Sequence, residues 1–169
     1  MSRTKWILLI LLIVFVVIQF VRPDMTNPPT NPAHTIDSVV TVTPQVEAIF
    51  QRSCDDCHDN DTRWPWYAQV SPVSWLLRSD VTNAKKNFSL PEFATYSKKK
   101  QARKLQQVYD QVTKGDMPLW YYLPLHPLAK LSDADKQTLC QWAKSEKARI
   151  EASMTPAERA EKSPQSPAS

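Results

Sequence analysis

Gly115 is the only glycine in the chain, and no other single feature so narrows the folds open to it. Average usage gives roughly 12 glycines at this length, and tight hairpins and Gly-rich phosphate loops both draw on the positive φ values that glycine supplies. Fourteen prolines punctuate the sequence instead. A chain of 169 residues so composed is expected to be all-α, one modest domain with appendages and Pro-marked connections.

Residues Trp6 to Val21, WILLILLIVFVVIQFV, are apolar except for Gln19, and Arg3 and Lys5 precede them. At about 1.5 Å per residue this run falls just short of a roughly 30 Å hydrocarbon core, but Trp6 can sit at an interface and Lys5 and Arg22 can snorkel. The exit VRPDMTNPP holds no small-x-small cleavage site. Residues 1–22 are therefore expected to be an uncleaved signal-anchor, a transmembrane helix whose basic flank stays cytoplasmic while the remainder lies outside. With Arg3 and Lys5 set aside, 19 basic residues face 17 acidic ones, which is no nucleic-acid signature. The cluster SKKKQARK, Ser97 to Lys104, suits either an acidic redox partner, anionic lipid head groups or a solvated helix face.

Residues 23–42, rich in Pro, Thr and Asn, read as a semi-extended linker, with His34 a bystander. Four helices are expected in the domain that follows, residues 43–150. The first opens at Thr43-Pro44 and carries Val46, Phe50, Cys54 and Cys57 on one stripe, ending at His58. The second runs from Ser71-Pro72 to about Lys86 and buries Leu77, Val81 and Ala84. The third is capped by Ser97, carries Leu105, Val108, Tyr109 and Val112, and stops at Gly115. Pro118, Pro124 and Pro127 keep the next stretch irregular until Ser132 and Asp135 open a helix bearing Leu139, Trp142, Ala143 and Ile150. In the tail, residues 151–169, a short turn is possible at Thr155-Pro156, and the end is expected to be disordered.

Within the first of these helices stands CDDCH, Cys54 to His58, followed by Arg63, Trp64, Trp66 and Tyr67. C-x-x-C-H is the attachment signature of c-type haem: two thiols form thioethers to the porphyrin and the adjacent histidine reaches the iron. Rival readings have less behind them. A structural zinc site lacks its second ligand pair, a thioredoxin-like pair lacks a βαβ context, and a disulfide between i and i+3 helical cysteines is strained. Cys140 reads as a small buried apolar residue, with an intermolecular or regulatory thiol as the alternative. For the sixth iron position Met117, in GDMPL, is the first candidate and His126, in LHPLAKLS, the second; His/Met ligation raises the reduction potential and suits electron transfer. Trp64, Trp66 and Tyr67 are expected along the haem edge, and Arg63 at a propionate.

The stretches CDDCHDNDTRWPWYAQVSPVSWLL and GDMPLWYYLPLHPLAKLS, with a C-x-x-C-H motif and a downstream M-P-x5-7-H-P segment, resemble the bacterial haem-binding domain family of small c-type-cytochrome-like proteins. The resemblance spans roughly Val39 to Lys147. It implies Cys54 and Cys57 as thioether cysteines, His58 as proximal ligand and Met117 as distal ligand, and it supplies no substrate. The expectation is thus a cytochrome c-like helical domain with one covalent haem c, on the outer face of a bacterial cytoplasmic membrane. It transfers single electrons to a redox partner protein rather than acting as an enzyme. The alternatives are a haem-based sensor with a displaceable sixth ligand, and peroxidase-type chemistry with His126 as distal base.

Overall fold

In a computed structural model that describes residues 2–160, helices carry most of the chain and no strand occurs among the described residues. The expected disordered end, residues 161–169, lies outside the described residues. In chain order the α-helices are α1 (Arg3–Ile18), α2 (Pro44–Ser53), α3 (Asp55–His58), α4 (Val73–Asn87), α5 (Lys98–Lys114), α6 (Asp133–Ala152) and α7 (Pro156–Ala160), with short 3₁₀ turns between several of them.

Local chemistry sets these boundaries. Thr43 Oγ1 accepts from the Val46 N–H to cap α2, and Ser97 Oγ does the same for the Lys100 N–H at α5. Ser132 and Asp135 form a reciprocal capping box at the head of α6, and Thr155 and Glu158 exchange side-chain-to-backbone bonds at α7. At its far end α5 stops because Gly115 takes φ 79°, which lets the N–H groups of Gly115 and Asp116 both reach the Gln111 carbonyl.

Most of the core lies where α5 packs along α6, with α2 crossing α6. Leu105 and Leu139 are fully buried there, each worth about 1.5–3 kcal/mol of transferred apolar surface. Phe50 meets Trp142 edge to face at 5.3 Å, and the Trp142 indole N–H is satisfied by the Thr41 carbonyl at 2.8 Å.

Several expectations need correction. The helix opened by Thr43 is not continuous through His58: Cys54, at φ −127°, breaks it into α2 and α3. On α4 Val81 is core, whereas Leu77 and Ala84 face a cavity and Trp75 and Leu76 are exposed. The Pro/Asn/Thr segment does not stand off from the domain. Asn27 donates to the Thr62 carbonyl at 2.9 Å and accepts from the Trp64 indole, while Ile36 is buried and bonded to the Leu90 carbonyl at 2.9 Å.

The apolar run at the N-terminus also ends earlier than its composition suggests. Gln19 leaves the helix register and binds Ser71 twice, accepting from its N–H at 2.9 Å and donating to its carbonyl at 3.0 Å. Val21 O then takes the Trp75 indole N–H at 2.8 Å. These bonds fix the end of α1 against the start of α4. Among the described residues no helix is long and apolar enough to cross a membrane.

Candidate functional site

Cys54 is the hinge of the site. Its N–H donates to the Phe50 carbonyl at 2.8 Å, finishing α2, and its carbonyl accepts from Cys57 N–H at 3.1 Å and His58 N–H at 3.0 Å, forming α3. The sequence C-x-x-C-H is thus one tight turn folded over the end of α2. Despite the break, Phe50, Cys54 and Cys57 line one cavity, so the shared face expected from their spacing survives. All three cysteines are free thiols. Burial pushes the Cys54 thiol up to about 12 and the Cys57 thiol up to about 11, with Asp55 and Asp56 adding to the effect, so both are neutral at neutral pH.

His58 is held at both ends. Its backbone carbonyl accepts from Leu90 N–H at 3.1 Å, and its ring Nδ1 lies 2.7 Å from the Phe88 carbonyl. A carbonyl only accepts, so Nδ1 carries the proton and Nε2 keeps its lone pair, the arrangement an iron-ligating imidazole needs. Burial holds the ring's pKa below its ordinary value, which keeps that lone pair available.

The cavity onto which these groups open measures about 680 Å³, within the ~300–1,000 Å³ of cofactor sites. Apolar side chains from α4 and α5, among them Leu77, Val81, Val108 and Val112, wall it. Met117 enters from the irregular segment released by Gly115, and His126 from further along the same segment. Two thiols, an imidazole with a free Nε2 and a thioether therefore meet in one apolar chamber. That donor set fits a covalently attached haem, soft sulfur and imidazole being ligands of haem iron. No group of three His, Cys, Asp or Glu side chains that could hold a metal ion occurs among the described residues.

Other expected residues are distributed unevenly. Trp64 lines the cavity, with its indole tied to Asn27. Trp66 does not: it starts the 3₁₀ turn after Pro65, stands 80% exposed and touches Tyr67 edge to face. Arg63 lines the cavity, yet its guanidinium is engaged by Asp56 at 2.8 Å and by the Gln51 carbonyl. Cys140 packs against the core beside Thr113. His34 sits on the surface against Glu92. The basic cluster is largely committed within the chain. Lys98 reaches Glu158 at 3.3 Å, Lys99 donates to the Arg159 carbonyl, and Lys100 sits over the Tyr96 ring.

Sequence reasoning missed a polar network on the far wall. Tyr122 stacks on His126 at 3.9 Å, His126 Nε2 is bonded to the Tyr67 hydroxyl, and Tyr122 donates to Asp56 between the two cysteines. The Asp80 carboxylate accepts from Tyr121 at 3.1 Å across the same cavity. The advance signals for these pairs were the crowding of tyrosines in DMPLWYYLPLH and the place of Tyr67 beside Trp64 and Trp66.

A family model described as a haem-binding domain matches residues 13–145, well over half of the chain, from within α1 to within α6. No curated protein and no solved structure matches.

Proposed function

The chain belongs to the haem-binding domain family, and on that premise we propose that it is a membrane-anchored, extracytoplasmic monohaem c-type cytochrome passing single electrons through a His/Met-ligated iron. The observation that carries the reading is the convergence of Cys54, Cys57, His58 and Met117 on one apolar cavity. Cys54 and Cys57 would hold the porphyrin as thioethers, and His58 Nε2 and Met117 would be the ligands of its iron. Bound there, haem supplies reversible one-electron chemistry. The chain's own part is to orient the imidazole through Phe88, keep water off with Leu77, Val81 and Val108, and present the cofactor edge through the cavity mouth. The mouth is rimmed by Val73, Leu76 and Leu125, each exposed and each lining the cavity.

Support for anchoring comes from α1. Its exposed apolar side chains run unbroken from Trp6 to Val17, and Arg3, Lys5 and Arg22 flank them. Its 16 residues span about 24 Å, so the anchor relies on snorkelling by those cations, on Phe20 and Val21, or on a locally thinner bilayer. In this reading the haem domain lies on the outer, periplasmic side of a bacterial cytoplasmic membrane, an orientation that the basic N-terminal flank favours. The clamp from Gln19 to Ser71 supports a reading in which the domain stays close to the bilayer surface.

A second reading, a sensor with a displaceable sixth ligand, is favoured by the Tyr67–His126 pair, since hydrogen-bonding groups on the cavity wall can steady a small diatomic ligand. Adding carbon monoxide to the reduced protein separates the two. An electron-transfer protein with Met117 on iron leaves the reduced spectrum unchanged over minutes, and Met117→Ala makes it responsive. Prompt binding by the unaltered protein contradicts His/Met electron transfer and favours the sensor.

A further inference from the structure

Two strong cations line the cavity among the described residues, Arg63 and Lys104, and their circumstances are opposite. Arg63 is exposed over 64% of its side chain, and its guanidinium is bonded through Nε to Asp56 and through Nη2 to the Gln51 carbonyl. Lys104 is 7% exposed and takes part in no hydrogen bond or ion pair with the described residues. Its charged neighbours are Arg103 and Lys100, both of the same sign. Lys104 sits four residues before Val108 and eight before Val112, on the α5 face that walls the chamber, and not with Lys98, Lys99 and Lys100, which serve the surface. The side-chain stem is buried while the ammonium keeps some access to solvent, and a cation held beside like charges at an apolar wall is stabilised by an anion.

We propose that Lys104 is the propionate-binding residue of the cavity, its ammonium pairing with a haem carboxylate from the α5 side. The inference rests on the haem reading above and deepens it. Haem carries two carboxylates on an otherwise apolar ring, and a cavity whose other wall cation is already neutralised by Asp56 leaves Lys104 as the unspent positive charge. Pairing satisfies both partners at once: the lysine gains an anion, and a propionate entering an apolar chamber gains a charge-assisted donor. The Lys104 charge also favours the reduced iron, which carries one positive charge less.

The test is potentiometric titration of the full-length holoprotein from pH 5 to pH 9, comparing wild type with Lys104→Met and Lys104→Arg. Wild type and Lys104→Arg are expected to share a potential that varies little with pH. Lys104→Met is expected to have a lower potential at neutral pH. That potential should also fall as pH rises through the ionisation of a propionic acid no longer held ionised by a neighbour. Lys104→Gln is read in the same way if the methionine variant does not accumulate with haem. Coincident curves for wild type and the neutral variants, at equal haem content, overturn the assignment. So does loss or change of an iron-ligand band in Lys104→Met, which makes the amine an iron ligand. Absence of a haemochrome spectrum from the wild type sinks the haem reading itself, an outcome distinct from both.

Discussion

The Tyr122 hydroxyl donates to Asp56 Oδ2 at 2.7 Å, and through that bond the segment bearing Met117 is tied to the turn between the two cysteines. Asp56 also takes Arg63 Nε at 2.8 Å, so one half-buried carboxylate links three parts of the chain: α3, the irregular backbone around Arg63, and the Met117–His126 segment. Tyr122→Phe keeps the stack on His126 and removes the bond. Hydrogen bonds to charged groups are worth about 1.5–3 kcal/mol, and because Asp56 retains Arg63 the loss is expected near the lower end, about 1.5 kcal/mol. Denaturant unfolding of the two proteins measures it. Superimposable curves contradict the link.

The acid limit of the fold is expected to trace to Asp135. Arg52 Nη2 stands 2.5 Å from its carboxylate, and Ser132 donates to it from both N–H and hydroxyl, which together hold its pKa down to about 2. A carboxyl depressed in the folded state stabilises the fold above its unfolded pKa and loses that contribution as pH falls through its folded value. The window here is from about pH 4 to pH 2. Thermal unfolding is expected to show Asp135→Asn less stable than wild type at pH 7 and the two converging towards pH 2. A gap that stays constant across that range contradicts the linkage.

Gly115 illustrates strain without a clash. A Cβ added there meets nothing within 4 Å, yet φ is 79°, where an L-residue is disfavoured by about 1–2 kcal/mol. Gly115→Ala is therefore expected to lower stability by about 1 kcal/mol, and Gly115→Asn by less, since asparagine tolerates this region. Equal stabilities for the alanine variant and wild type, read from chemical denaturation, count against a left-handed terminus. A loss of about 3 kcal/mol or more points to a steric cause instead.

What was legible in the sequence was whatever depends on neighbours along the chain. Thr43, Ser97 and Ser132 cap helices where their residue types and spacing indicate, and Gly115 stops α5 where a left-handed residue is needed. The break at Cys54 was not legible, because periodicity records the direction of side chains and a single altered backbone angle leaves Cys54 and Cys57 on the same cavity. Pro, Asn and Thr between residues 23 and 42 announce a non-helical segment but not its docking, which depends on acceptors as distant as Thr62 and Leu90. Trp64 and Trp66 are two apart in a WPW stretch, and the turn after Pro65 sends one to the cavity and the other to the surface. Lys104 was hidden inside SKKKQARK. Its step of four to Val108 and again to Val112 was the available sign that it faces inward, as Gln101, Ala102 and Leu105 beside it also do.

The central claim is that one haem is bonded through sulfur at Cys54 and Cys57, and mass spectrometry of the peptide containing both residues tests it most directly. The protein is produced in a host with intact cytochrome assembly machinery. The account predicts a peptide heavier by one haem, a matching pyridine haemochrome spectrum, and loss of the adduct in the Cys54→Ala, Cys57→Ala double variant. A colourless protein whose peptide weighs only the sum of its amino acids contradicts it.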